Sequence, residues 1–136
     1  MPGKCHECGS REPIEGLKLC AACRSRKIIR REHRQTHNAS FLELMLRACY
    51  DPASCCSSTG RSLLALRKVG ERLSVDRINP NRGYVPGNVQ LLAMSLNAEK
   101  NSQRQVPRRA LDALLRKLEH VTEDILSSPE GAAQRF

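Results

Sequence analysis

The fold is decided by residues 73–101, which read LSVDRINPNRGYVPGNVQLLAMSLNAEKN. The stretch opens with apolar residues at Leu73, Val75 and Ile78, and polar residues separate them. This pattern predicts a short strand that ends in charge. A cluster of Asn, Pro and Gly over residues 79–83 then predicts a turn.

The second half of this stretch predicts another strand and then a helix. Pro86 and Gly87 mark a second turn, and a short apolar run covers residues 89–92. The composition of residues 93–100 suits a helix, with Leu96 at helical spacing from the end of the apolar run. The predicted order is therefore strand, loop, strand, helix, and the expected fold class is α+β.

Polar residues gather at the joints of these predicted elements. They are Asp76 and Arg77 at the end of the first strand, Asn88 before the second, and Asn97 and Lys100 on the helix. Carboxylate and amide oxygens suit Mg²⁺ or Mn²⁺, whereas arginine and lysine suit phosphate. This combination is what metal-assisted hydrolysis of a phosphodiester needs, because the metal stabilises the leaving oxygen and the cations hold the strand.

In order and spacing, these residues resemble the core of the HNH endonucleases, which are ββα-metal nucleases. The matching elements are Asp76-Arg77-Ile78, Gly83-Tyr84, Asn88-Val89, and Asn97 followed three positions later by Lys100. The step of nine residues from Asn88 to Asn97 matches the usual separation in the family. The resemblance covers residues 49–118 and is fairly specific, because several spaced elements agree. It implies a small ββα-metal core with flanking helices.

The resemblance also implies a role for each polar residue. Asp76 would be the first ligand of a divalent cation and Asn97 the second, Asn88 would tie the loop backbone together, and Lys100 would contact the substrate or support the helix. Arg77 departs from the family, which usually has a histidine there as general base. Arginine cannot accept a proton at neutral pH because its pKa lies above 12, so the base is unassigned. Arg77 would instead clamp a phosphate.

The resemblance therefore implies a metal-dependent DNA endonuclease of the HNH class that uses Mg²⁺ or another divalent cation. The alternative is a DNA-binding protein that keeps the fold but is catalytically weak or inactive, since Arg77 lacks base chemistry. A third possibility, an adaptor that binds protein through a zinc ribbon, is weakly disfavoured by the distribution of charge. Whether the chain is a monomer or a homodimer, and whether it has a protein partner, stays open.

A four-cysteine pattern precedes this region. Cys5-x-x-Cys8 and Cys20-x-x-Cys23 are separated by eleven residues. Each pair lets two thiolates reach one tetrahedral ion, and two such pairs close a four-thiolate site. The pattern is similar to a zinc ribbon and predicts a structural Zn²⁺, because a closed shell leaves no position for water. The alternative is that these are buried or redox-active thiols.

Residues 24–37, RSRKIIRREHRQTH, follow directly and suit a basic helix. Six of its side chains are predicted to contact the DNA backbone: Arg24, Arg26, Lys27, Arg30, Arg31 and Arg34. The alternative is an ordinary charged helix face. His33 and His37 are expected to be surface residues.

Flanking helices complete the prediction. Ser40 is expected to cap a helix that starts at Phe41, and residues 63–66 suit either a strand or a short helix. An amphipathic helix of about 20 residues is predicted from Pro107 onwards, packing on the core or forming a dimer interface. The predicted organisation is a zinc module with basic helix at 1–37, a nuclease core with the amphipathic helix at 38–126, and a flexible tail at 127–136.

Composition limits the class of partner. The 136-residue chain carries a net charge of +9, and only 3% of its residues are aromatic. The positive charge favours a polyanionic partner, DNA before membrane. The low aromatic content means that stability must come from aliphatic packing and metal.

Residues 1–8 lack the apolar run of a signal peptide, and no stretch suits a membrane span. With seven cysteines, we expect a reducing compartment, the cytoplasm of a bacterial host, for a bacterial or phage-encoded protein.

Overall fold

The computed structural model describes residues 3–14, 17–31, 37–100 and 104–122. Within these residues the chain is α+β, as predicted, with five helices and one two-stranded antiparallel sheet. The elements are α1 (Ala21–Arg31), α2 (Ala39–Ala48), α3 (Leu63–Arg67), β1 (Leu73–Arg77), β2 (Val89–Ala93), α4 (Met94–Lys100) and α5 (Arg108–Leu118). None of these helices is long and apolar enough to cross a membrane.

The hairpin of β1 and β2, with α4 directly after it, is the centre of the fold. The predicted order of strand, loop, strand and helix is confirmed. The strands pair so that Asp76 lies opposite Gln90. The connecting loop turns at Gly87, whose φ of 88° is a conformation that other residues adopt only with strain.

The two faces of β1 contact different partners, because successive side chains of a strand alternate. Ser74 and Asp76 share one face and contact side chains of α4. Val75 lies on the opposite face and packs against a small apolar cluster formed by Ala21, Leu42 and Leu46 of α1 and α2. The hairpin therefore lies between α4 and the α1–α2 pair.

The larger apolar cluster lies around the hairpin, α3 and α5. Its buried members are Cys49, Cys56, Leu63, Leu66, Leu73, Leu91, Leu92, Ala93, Leu96, Leu114 and Leu118. They are almost all aliphatic, which agrees with the low aromatic content. Residues 63–67 form the helix α3, and Ser62 caps it by accepting a hydrogen bond from the amide of Ala65 at 3.2 Å.

Two helix ends differ from the prediction. The expected cap at Ser40 is wrong: α2 begins at Ala39, and Oδ1 of its N-cap Asn38 accepts a hydrogen bond from the amide of Phe41 at 3.0 Å. Asparagine is at least as good an N-cap as serine, so the earlier residue takes the position.

The second difference is the length of α5, which spans 11 residues with Pro107 as its N-cap. The Arg61 guanidinium donates to the carbonyls of Leu118 and Val121, satisfying acceptors at the helix end. A residue far away in sequence thus helps to stop α5. The predicted tail at 127–136 lies outside the described residues.

Candidate functional site

The four predicted cysteines form one cluster. The Sγ atoms of Cys5, Cys8, Cys20 and Cys23 all lie within 4.8 Å of one another, and those of Cys8 and Cys20 are 3.9 Å apart. Sulfur ligands placed tetrahedrally at 2.3 Å from zinc would be separated by about 3.8 Å. The cluster could therefore hold a metal ion such as zinc, and only Cys8 is exposed.

Two local structures position these thiols, a turn for the first pair of cysteines and the start of α1 for the second pair. The amide of Gly9 bonds to the carbonyl of Cys5 at 2.9 Å, which folds the first Cys-x-x-Cys into a knuckle. Cys20 directly precedes α1 and Cys23 lies in its first turn. The Arg26 guanidinium donates to the Cys23 sulfur at 3.1 Å. This contact gives one predicted DNA-binding arginine a role beside the cluster.

The thiols of the cluster differ in acidity. Hydrogen bonds from the Ser10 hydroxyl and from nearby backbone amides lower the pKa of Cys8 to about 5. Burial, reinforced by neighbouring thiols, raises the pKa of Cys23 to about 12. A metal ligand must be a thiolate, so a bound ion would displace the proton of Cys23 at neutral pH, whereas Cys8 already lacks its proton.

A buried ion pair joins the hairpin and α4. Lys100 Nζ lies 2.8 Å and 3.0 Å from the two carboxylate oxygens of Asp76. It also donates to the carbonyl of Arg77 at 2.6 Å. Lys100 is 1% exposed and Asp76 5% exposed. Two of the predicted site residues therefore contact each other directly, in surroundings where unpaired charge is very costly.

Asp76 and Asn97 are also held by polar neighbours on the same face. Gln90, opposite Asp76 in the sheet, donates from Nε2 to Asp76 Oδ2 at 2.9 Å. Asn97 donates from Nδ2 to the Ser74 hydroxyl at 3.0 Å and to the Val75 carbonyl at 3.4 Å. These contacts orient both side chains that the sequence predicted as ligands of a divalent cation.

The Asn88 side chain links backbone groups of the loop that connects β1 and β2. Its Oδ1 accepts from the amide of Asn79 at 2.9 Å, while its Nδ2 donates to the carbonyls of Asn79 and Gly83 at 3.1 Å and 2.9 Å. The side chain is 2% exposed. Asn88 thus bridges backbone groups on both limbs of the loop that follows Asp76.

Arg77 lies on the opposite side of β1 from Asp76. Its guanidinium carbon is 5.1 Å from the centre of the Tyr84 ring, a cation–π distance. The Tyr84 ring packs against His37 at 5.3 Å, and the Tyr84 amide donates to His37 Nδ1 at 2.9 Å. His37 is therefore half-buried, not a surface residue as expected. The Tyr84 amide occupies His37 Nδ1, so this nitrogen does not supply the base missing at Arg77.

The residues around Asp76 do not fit a divalent cation as they stand. Both oxygens of its carboxylate are in contact with the Lys100 ammonium group, and Gln90 also occupies Oδ2. A divalent cation here would meet a positive charge within a few ångströms in a buried setting, where repulsion is poorly screened. The Asp76 carboxylate therefore has no oxygen free for such an ion while Lys100 contacts it.

The side chains of α1 that were predicted to bind DNA lie in different environments. Arg26 contacts Cys23, and Arg30 forms a 3.4 Å ion pair with Glu7. Arg24 lines a cleft together with Val75 and Tyr84, and Lys27 is exposed. The side chain of Arg31 and all of Arg34 and His33 lie outside the described residues.

Sequence reasoning missed Gln90, gave Tyr84 no role beyond its place in the motif, and treated His37 as a surface residue. Gln90 had a detectable signal, because it is the one polar residue in an otherwise apolar run and a symmetric hairpin pairs it with Asp76. Tyr84 and His37 are 47 positions apart and carry no such signal.

Comparison with known proteins found no match among models of protein families, curated proteins or solved structures.

Proposed function

We propose that this protein is a DNA endonuclease of the HNH class. The observation that carries the proposal is the joint placement of Asp76, Asn97 and Lys100 on one face of a hairpin followed by a helix. The residues in these positions are the ones by which the sequence resembles HNH nucleases. The net charge of +9 suits a polyanionic substrate.

Asn88, Arg77 and the four cysteines each have a task in this proposal that their contacts support. Asn88 holds the loop after β1 in shape. The Arg77 guanidinium lies against the Tyr84 ring, which limits its orientations, so it suits a backbone phosphate. The four-cysteine cluster would hold Zn²⁺ as a structural ion at the base of α1. Its thiols require a reducing compartment such as the bacterial cytoplasm.

A second candidate function is DNA binding without cleavage. The observation that favours it is the Asp76–Lys100 contact, because an ammonium group covers both oxygens of the carboxylate that the proposed centre would use. Arg77 supports the same reading, since it cannot act as a general base. In this candidate the hairpin and α1 serve only to bind the phosphate backbone.

Cleavage of supercoiled plasmid by the zinc-loaded chain, with Mg²⁺, Mn²⁺ or Ni²⁺ added, separates the two candidates. We compare the wild type with Asp76→Asn, which keeps the side-chain shape, and with Arg77→Gln. Arg72→Gln is the matched control, because Arg72 is exposed just before β1. For a nuclease we expect nicked or linear product that falls about 100-fold in Asp76→Asn and is unchanged in Arg72→Gln.

Absence of product with every metal, together with DNA binding that weakens as salt rises, would contradict the nuclease and support the second candidate. In that case Arg77→His offers a further check, because histidine restores a group that can accept a proton near neutral pH. Cleavage gained by this variant would show that the scaffold suits catalysis and that the arginine prevents it.

A further inference from the structure

The Nζ atom of Lys100 lies among four protein oxygens. Two belong to the Asp76 carboxylate, at 2.8 Å and 3.0 Å. The other two are the backbone carbonyls of Arg77 and Ile78, at 2.6 Å and 3.5 Å. One negative charge and two carbonyl dipoles thus surround one positive charge, and the group is almost completely removed from solvent.

These oxygens are of the kind that forms the coordination shell of a hard metal ion. Carboxylate and carbonyl oxygens are the ligands preferred by Mg²⁺, Mn²⁺ and Ca²⁺. An ammonium group and a divalent cation cannot occupy the shell together, because their charges repel over a few ångströms in a medium that screens poorly. The two cations must therefore compete for the same oxygens.

We propose that the Lys100 ammonium group is a built-in cation that fills a divalent-metal site formed by Asp76 and the carbonyls of Arg77 and Ile78. Removal of the ammonium group exposes this site, and in the wild type without bound DNA the ammonium group closes Asp76 to divalent cations. The proposal rests on the proposed function only in treating Asp76 as a potential ligand, and it requires no cleavage.

The test uses the zinc-loaded full chain and Mn²⁺ as the probe, without DNA. Among the first-row divalent transition ions Mn²⁺ binds nitrogen and sulfur ligands most weakly, so it leaves zinc in the thiolate cluster. The test variant is Lys100→Met, which keeps the length of the side chain but removes its charge. Lys117→Met is the matched control, because Lys117 is exposed on α5. Melting temperature and Mn²⁺ electron paramagnetic resonance are measured for each.

For Lys100→Met we expect saturating Mn²⁺ to raise the melting temperature by roughly 5 °C or more, with one bound ion per chain. The wild type and Lys117→Met should change by less than about 1 °C. The double variant Asp76→Asn/Lys100→Met should lose the response, because its carboxylate is gone. If Lys100→Met does not fold alone, Mn²⁺ should restore its helical circular dichroism.

Three results would overturn the proposal. The first is Asp76-dependent binding of Mn²⁺ by the wild type. The second is a folded Lys100→Met chain that binds no Mn²⁺. The third is an unfolded Lys100→Met chain that Mn²⁺ does not restore. None of these results depends on DNA cleavage, so failure here is distinguishable from failure of the proposed nuclease, which the plasmid assay tests.

Discussion

Asn88 concentrates more hydrogen bonding in one buried side chain than any other residue of the loop after β1. It donates to two backbone carbonyls and accepts from one amide, so both ends of its amide group are used. Alanine can replace none of these bonds, and the backbone groups would be left buried without their partner. The loop shape, and with it the position of Tyr84 beside Arg77, depends on this residue.

We therefore expect Asn88→Ala to lower the free energy of unfolding by about 2–4 kcal/mol, measured by urea denaturation of the zinc-loaded chain. Asn81→Ala, an identical change at an exposed position of the same loop, should stay within about 0.5 kcal/mol of the wild type. Equal losses in the two variants would show that the loop is sensitive to any truncation and that the Asn88 bonds are not special.

The Asp76–Lys100 pair leads to a second prediction, on stability. In buffer without added divalent ions, Lys100→Met leaves the Asp76 carboxylate buried and uncompensated, which should cost about 3–5 kcal/mol in urea denaturation. The double variant Asp76→Asn/Lys100→Met removes both charges and should recover most of that loss. A double variant as unstable as the single one would show that the pair acts through shape and not through charge.

This coupling also affects how Asp76→Ala is interpreted. Truncation of Asp76 strands the ammonium group of Lys100 in a buried position, so lost activity in that variant would mix lost chemistry with lost folding. Asp76→Asn is the better variant, because an amide oxygen can still accept a hydrogen bond from Lys100.

At the scale of single residues, the sequence indicated which residues belong to the candidate site, but it did not indicate which of them contact each other. Asp76, Asn88 and Lys100 stand out because polar residues at the ends of strands and on a short helix are visible in the order of the chain. That Lys100 contacts both oxygens of Asp76 depends on how α4 lies against β1, and spacing along the chain does not fix that geometry. His37 was misjudged for the same reason, since its partner Tyr84 is distant in sequence.

Among the elements, α1 has two roles that its basic sequence conceals. Cys23 of the cluster lies in its first turn and Cys20 directly before it, and Ala21 packs with Leu42 and Leu46 of α2. Ser25, which is 1% exposed, donates to the carbonyl of Ala39 at 3.0 Å. The four-cysteine cluster and the packing of α1 against α2 therefore depend on the same helix. Loss of metal should consequently destabilise α2 as well.

We predict that removal of metal with a strong chelator loosens α1 and the N-terminal half of α2, because residues 3–31 have little apolar core besides this cluster. Hydrogen exchange followed by mass spectrometry should show lost protection in α1 and at the start of α2, while β1, β2 and α4 stay protected. A Cys5→Ser/Cys8→Ser variant should show the same pattern without chelator. Global loss of protection would show instead that the hairpin also depends on the metal.

Local periodicity explains which elements could be predicted. The hairpin and α4 were predicted correctly because alternation, turn residues and a helix-forming run all lie within residues 73–100. The end of α5 could not be predicted, since Arg61 bonds its last carbonyls across 57 positions of sequence. The short α3 stayed ambiguous because the four-residue apolar segment at 63–66 fits either structure.

Over the whole molecule, charge is distributed unevenly along the chain. The positive excess lies in residues 1–105, while residues 106–136 carry five basic and five acidic side chains. The exposed positive side chains of α1 and the Arg77 guanidinium both belong to the part of the chain with this excess. If this part faces DNA, charges on α1 and on α5 should contribute differently to binding.

We therefore expect DNA affinity to fall steeply as salt rises, because each phosphate contact releases counterions. Lys27→Gln, at an exposed position of α1, should reduce the slope of log K against log salt by about 1 and weaken binding to all sequences alike. Arg116→Gln removes the same charge from the exposed side of α5 and should leave the slope unchanged, as measured by fluorescence anisotropy across a salt series. Equal reductions in both variants would mean that net charge alone governs binding, and α1 would then lose its assignment as a DNA-contacting element.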